Sequence, residues 1–220
     1  MLKKISIVLF AILCLTVGLY PAIYLFVDRK FGLLQTKTAE LLSDNFWNIA
    51  FYTHITLGGV AIFIGWTQFV RKWRKRYLNL HRQVGKIYVV AALTSAIAGM
   101  YIALFSTAGI IPSIGFECLA IVWFLTTFFA YRYIRNLQII QHQKMMIYSY
   151  AACFAAVTLR IYLPILVSLF HDFNKAYSLV AWLCWVPNLI VAYFLGRNIS
   201  LDDETMYTLR PSLKNKEPIS

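Results

Sequence analysis

A chain of 220 residues that is 60% hydrophobic and 14% charged is not an ordinary soluble domain, and a membrane protein is the class that fits. Its formal net charge of +12, from 21 Lys and Arg against 9 Asp and Glu, would suggest nucleic acid in a soluble protein. Basic residues collect in the cytoplasmic loops of membrane proteins, so no nucleic-acid partner is needed to explain it.

Six spans of about 20 residues use roughly 120 positions and leave no separate soluble domain. Residues 1–4 are a short basic start, and 5–27 form an apolar run longer than the core of a secretion signal, so an uncleaved first span is expected with Pro21 near its outer end. Residues 28–48 mix Phe31, Leu34, Leu41 and Leu42 with polar residues, which suits an interfacial helix or a plain loop. The second span is 49–70 and the third 84–105. Between them lie Arg71, Lys72, Arg74, Lys75, Arg76 and Arg82, placed to meet anionic lipid headgroups along the 71–82 loop. An uncharged turn at 106–113 contains Gly109 and Pro112 and leads to the fourth span, 114–131. A polar connection (132–144), a fifth span (145–170), a short loop (171–178) and a sixth span (179–195) follow, and 197–220 is a polar cytoplasmic tail expected to be disordered. Basic residues crowd the loops after spans two and four, so both termini are expected in the cytoplasm. The expected architecture is all-α: a six-helix transmembrane bundle forming one membrane domain, 1–196, in the cell (inner) membrane.

Two spans carry stripes of small and polar residues at helical spacing. His54, Gly58, Ala61, Gly65 and Gln68 share one face of span two, and His81, Gly85, Tyr88, Ala92, Ser95 and Gly99 share one face of span three. Small residues let helices approach closely in lipid, so both faces should point inward, as packing surfaces or as the bed of a cofactor.

Ionisable residues inside a span are costly and face the bundle interior. His54, Glu117 and Arg160 qualify. Counted from the outer ends of their spans, they lie about 9, 6 and 15 Å deep at 1.5 Å per residue. An ion pair between Glu117 and Arg160 is therefore expected, as a packing lock or as part of a site. At the cytoplasmic side, His81 opens span three and His142 just precedes span five, at similar depth. Two histidines on different helices beside small residues could ligate haem iron, or simply sit at a polar interface. In span six, Trp182, Trp185 and Asn188 share a face, Pro187 should kink the helix, and Asn188 needs a hydrogen-bond partner, which groups it with His54, Glu117 and Arg160 as an intramembrane polar cluster. Cys14, Cys118, Cys153 and Cys184 all fall in apolar runs and read as small buried hydrophobes, and no spacing suggests a transition-metal site. No nucleophile elbow, phosphate loop or dinucleotide fingerprint occurs, and no reaction is assigned.

The order of these residues resembles a bacterial family of predicted membrane proteins, domain of unknown function 2306. The likeness rests on His54, Gly58, Gly59, Gly65, Gln68 and Phe69; then His81, Arg82, Gly85, Ile87 and Tyr88; then His142, Met146 and Tyr150; the run ending in Arg160; and Trp182, Trp185 and Asn188. It covers about 49–192 and implies a multi-pass membrane protein without an assigned reaction. The His81–Arg82 opening is also similar to openings in b-type cytochrome membrane domains, whose paired histidine spacing is not reproduced. The primary expectation is a multi-pass membrane protein with an internal polar site for a ligand or cofactor. One alternative is a b-type haem redox protein using His81 and His142. The other is a small-solute or ion transporter using His54, Glu117 and Arg160.

Overall fold

The computed structural model describes residues 2–25, 32–197 and 199, and among these every regular element is a helix. In chain order they are α1 (Leu2–Leu19), α2 (Ala39–Ser43), α3 (Asn45–Gly65), α4 (Arg71–Arg76), α5 (Leu78–Ala103), α6 (Ile110–Arg135), α7 (Ile139–Cys153), α8 (Ala155–Phe170), α9 (Phe173–Leu183) and α10 (Val186–Arg197). Five stretches are long and apolar enough to cross a membrane: Asn45–Phe69, Leu78–Ala103, Ile110–Arg135, Ile139–Phe170 and Phe173–Arg197. A shorter apolar helix, Val8–Tyr24, accompanies them. Phe31 and, apart from Arg197 and Ile199, the expected tail lie outside the described residues.

Five of the six expected spans fall on helices of spanning length and the first on the shorter Val8–Tyr24, and several helix ends run further than the apolar runs do. Asp44 caps α3 by accepting from the Phe46 N–H at 2.9 Å, so the helix starts at Asn45 rather than at 49. The basic loop contains α4, and the polar connection at 132–144 shrinks to a tight turn with Leu137 at φ 59°. His81 and His142 consequently sit in the first turns of α5 and α7, inside the helices rather than before them. Polar side chains in the headgroup region do not end a helix, so hydropathy alone underestimates its length. Pro21 lacks an N–H for the helix ladder, and α1 tightens there into a 3-10 turn, Tyr20–Leu25.

The interfacial segment between the first two spans is a 3-10 turn (Gly32–Thr36) followed by the short α2. It is fastened to the α5–α6 turn. Thr36 Oγ1 meets Thr107 Oγ1 at 2.8 Å, and Lys37 Nζ donates to Thr107 Oγ1 at 3.1 Å and to the Phe105 carbonyl. Burial pushes the Lys37 amine down to about 8. A neutral amine keeps two N–H groups for these two acceptors, so the fastening survives deprotonation.

α5 occupies the middle of the bundle, with α3 on one side and α6 on the other; α7 and α9 pack on α6, α10 on α7, α9 on α8, and α1 on α3 and α8. Both small-residue stripes face this interior: Ala61, Gly65, Gln68, Tyr88, Ala92, Ser95 and Gly99 are all buried. The approach is close at Gly59, where an added Cβ would stand 2.8 Å from the Gly18 carbonyl oxygen and 2.9 Å from the Pro21 ring. A continuous buried hydrogen-bond chain crosses three helices. Tyr88 Oη bonds Ser149 Oγ at 2.8 Å, Ser149 Oγ bonds Thr127 Oγ1 at 2.7 Å, and Thr127 Oγ1 donates to the Trp123 carbonyl at 2.7 Å.

Two spans are interrupted. The fifth breaks at Phe154, between α7 and α8, and the sixth at Cys184–Trp185, between α9 and α10. The sequence signals the second break through Pro187. The first lies ten residues before Pro164, which sits inside α8 without ending it.

Candidate functional site

Two polar groupings stand at opposite ends of the bundle. One is at the basic end, which carries α4, Arg82, Arg132 and Arg135; the other is in the opposite half.

In the opposite half, His54 on α3 is held by α5. Its Nδ1 lies 2.9 Å from the Ser95 carbonyl oxygen, which can only accept, so Nδ1 carries the proton and Nε2 is left with its lone pair. Ser95 Oγ in turn donates to the His54 carbonyl at 2.8 Å. Gly99 makes room for the ring: a Cβ there would lie 2.9 Å from Nδ1. Arg160 approaches from α8, and its charge is near enough to act on the His54 imidazole. The guanidinium stacks on the Tyr20 ring, 4.3 Å from its centroid, and Nη1 donates to the Ala156 carbonyl at 2.8 Å. Nε is enclosed and donates to nothing. Tyr24 belongs to the same grouping: its ring meets Phe51 edge-on at 5.7 Å, and it interacts electrostatically with Arg160. Pro164 removes the N–H that would have bonded the Arg160 carbonyl, so backbone polarity is freed at the same level.

The expected ion pair between Glu117 and Arg160 does not form. Arg160 turns to Tyr20, in the 3-10 turn after α1, and Glu117 Oε2 is enclosed without a hydrogen-bond partner. The cause is the helix order: α9 packs against both α6 and α8, so the two residues face different seams. Ala120, one turn along from Glu117 on the same face, packs toward Gly99 of α5. α6 also starts at Ile110, which puts Glu117 about 10 Å into the helix rather than about 6 Å.

Asn188, grouped with these residues by sequence, sits instead between the two helix breaks. Its Nδ2 donates to the Cys184 carbonyl at 2.9 Å, to Thr158 Oγ1 at 3.2 Å and to the Ala151 carbonyl at 3.3 Å. Thr158 Oγ1 also donates to the Cys184 carbonyl. This arrangement stitches two interrupted helices together.

At the basic end, His142 Nδ1 donates to the Ala130 carbonyl at 2.8 Å, again leaving Nε2 unprotonated. His142 and His81 are close enough for their charges to interact, and Arg74 acts on both. Gln68 is buried beside them on the α3 stripe, with Oε1 3.6 Å from where a Gly85 Cβ would lie. Gly58 packs on Ser95 Oγ, and Gly65 on the Tyr150 and Tyr88 rings, so these two glycines seat helices and rings. Among the described residues no group of three or more His, Cys, Asp or Glu could hold a metal ion.

The sequence reading missed Tyr20, Tyr24, Thr127 and Thr158, and met Tyr150 only as a residue of the shared pattern. Pro21 beside a tyrosine pair was the one signal available for the aromatic cover over Arg160. Cys14, Cys153 and Cys184 are buried free thiols and Cys118 is partly buried, and Cys14 Sγ accepts from Tyr150 Oη at 3.1 Å.

No curated protein and no solved structure matches this chain. One family does, over residues 51–196, a range that holds His54, His81, Glu117, His142, Arg160 and Asn188 and leaves out α1 and the 3-10 turn that carries Tyr20. With five helices of spanning length and a pattern shared over most of its sequence, the chain belongs to the predicted membrane protein family DUF2306.

Proposed function

We propose that this multi-pass membrane protein binds a small ligand at the polar site formed by Arg160, His54, Tyr20 and Tyr24, in the half of the bundle away from the basic end. The reading rests on the Arg160 guanidinium. It lies about 15 Å from the end of α8, where a charged arginine costs about 2.5–3.5 kcal/mol even on the permissive insertion scale. A stacked ring and one carbonyl offset only part of that cost, and no carboxylate among the described residues pairs with it. A charge kept at this depth with no carboxylate partner among the described residues supports a site. Glu117 faces another seam, so a transport path through all three ionisable residues is not the reading supported. The basic end is taken as cytoplasmic and the host as the cell membrane, with the α4 cluster against anionic headgroups.

Native mass spectrometry of the purified protein tests this. Wild type should carry a small-molecule adduct that Arg160→Met lacks, while the variant keeps or gains thermal stability because a desolvated charge is gone. Identical spectra for the two would remove the site.

A second reading, at the other end, is a b-type haem held by His81 and His142. What favours it is that His142 is oriented by a backbone carbonyl as metal-ligating histidines are, with Arg74 and Arg82 as charged neighbours of His81. An absorption spectrum of the purified protein should then show a Soret band that His142→Ala abolishes; a colourless wild type discards the reading.

A further inference from the structure

Building on the ligand site above, we infer that the group recognised by Arg160 is a carboxylate, gripped side-on by the Nε and Nη2 edge of the guanidinium. A guanidinium presents five N–H donors in one plane. Nη1 is committed to the Ala156 carbonyl at 2.8 Å, and a ring face is covered by Tyr20 at 4.3 Å. Nη1 has given up one of its two N–H groups, so the Nε and Nη2 edge is the one on which both nitrogens are uncommitted, and Nε is enclosed with no acceptor. Two parallel N–H groups on one edge match the two oxygens of a planar carboxylate.

Charge selects the same class. One cation in a poorly hydrated setting is balanced by one monoanion. A phosphate ester would bring further charged oxygens, and the surrounding walls are aromatic: Tyr20 and Tyr24 meet at 6.1 Å, Tyr24 touches Phe51, and Phe51 stacks on Trp47 at 5.1 Å. Those rings suit an apolar body behind the carboxylate. The Tyr20 and Tyr24 hydroxyls converge beside Gly32, 3.3 and 3.6 Å from where a Cβ would stand.

The carboxylate can come from the bilayer or from water, and the test separates the two. Wild type in lipid nanodiscs is melted with octanoate, benzoate, octanol, benzyl alcohol or octyl phosphate, following intrinsic fluorescence. A ligand that binds the folded state raises the midpoint in proportion to its occupancy. Octanoate or benzoate should raise it and the alcohols should not; a response to octanoate alone identifies a bilayer source, and one to benzoate a water-borne source. Arg160→Lys, which keeps the charge and loses the fork, should weaken the apparent affinity about tenfold, and Arg160→Met should abolish the response. Alcohols acting as well as carboxylates, octyl phosphate acting more strongly than octanoate, or an unchanged response in Arg160→Met would each overturn the inference. So would a wild type silent to both carboxylates. An Arg160-dependent adduct in the mass spectrum alongside carboxylate silence would leave the site standing and discard only its ligand class.

Discussion

Gly65→Ala is expected to lower the stability of the bundle by about 3 kcal/mol, the upper part of the range for overpacking a filled core. A Cβ at this position would stand 2.4 Å from Tyr150 Cε2, 2.8 Å from its Cδ2 and 2.9 Å from Tyr88 Cε2. Neither ring can step back. Tyr150 Oη donates to the Ile62 carbonyl at 2.9 Å and to Cys14 Sγ at 3.1 Å, which ties α7 to α3 and α1. Ile62 belongs to the last turn of α3, where carbonyls run out of helical partners, so shifting Tyr150 also uncaps the helix. Tyr88 is completely buried and is bonded to Ser149. Thermal unfolding in one detergent checks this, and a midpoint equal to wild type would refute the packing argument. Combining Gly65→Ala with Tyr150→Leu makes room for the methyl, so the double variant should lose less than the sum of the singles.

The same residues show what was legible in the sequence. The spans and the two inward faces were readable because each is a local, periodic property: glycine, alanine and serine recur at helical spacing, and small faces pack inward in lipid. Gly65 was readable as a packing position for that reason. The rings it accommodates were not, because Tyr150 lies 85 positions away in sequence on another helix. Helix ends were misplaced where polar residues carry a helix beyond the apolar run, which moved His81 and His142 into their first turns. Arg160 shows a different limit. Its need for a partner follows from its depth alone, and the one acid within a span was the natural candidate. Pairing them required α6 and α8 to be neighbours, and α9 packs on both. The partner found, Tyr20, satisfies a cation through its ring face, a contact with no charge to reveal it. Thr127 was hidden in the same way, among aromatic residues that gave no hint of a hydroxyl relay between Tyr88 and Ser149.

Asn188→Leu is expected to cost about 2–3 kcal/mol, more than the ordinary run of hydrogen bonds between membrane helices, which average about 0.6 kcal/mol. The difference comes from what the amide bonds. In an unbroken helix the Ala151 and Cys184 carbonyls would each be satisfied four residues on, and losing a side-chain donor would strand nothing. The breaks at Phe154 and at Cys184–Trp185 remove those partners, and Pro187 prevents the second from closing up. Asn188 Nδ2 supplies both carbonyls, at 3.3 and 2.9 Å, and bonds Thr158 Oγ1 at 3.2 Å. Leucine fills the volume and donates nothing, leaving buried carbonyls in a region without water. Thr158 shares one of the same acceptors, since its hydroxyl also donates to the Cys184 carbonyl. Thr158→Val should therefore cost less than Asn188→Leu, because the amide still serves Cys184. In the double variant the Cys184 carbonyl loses both donors, so the loss should exceed the sum of the singles by about 1 kcal/mol. Thermal midpoints of the two singles and the double, measured in one detergent, decide it. Additive losses would mean that the two donors act independently. An Asn188→Leu variant as stable as wild type would mean that the breaks close without the amide.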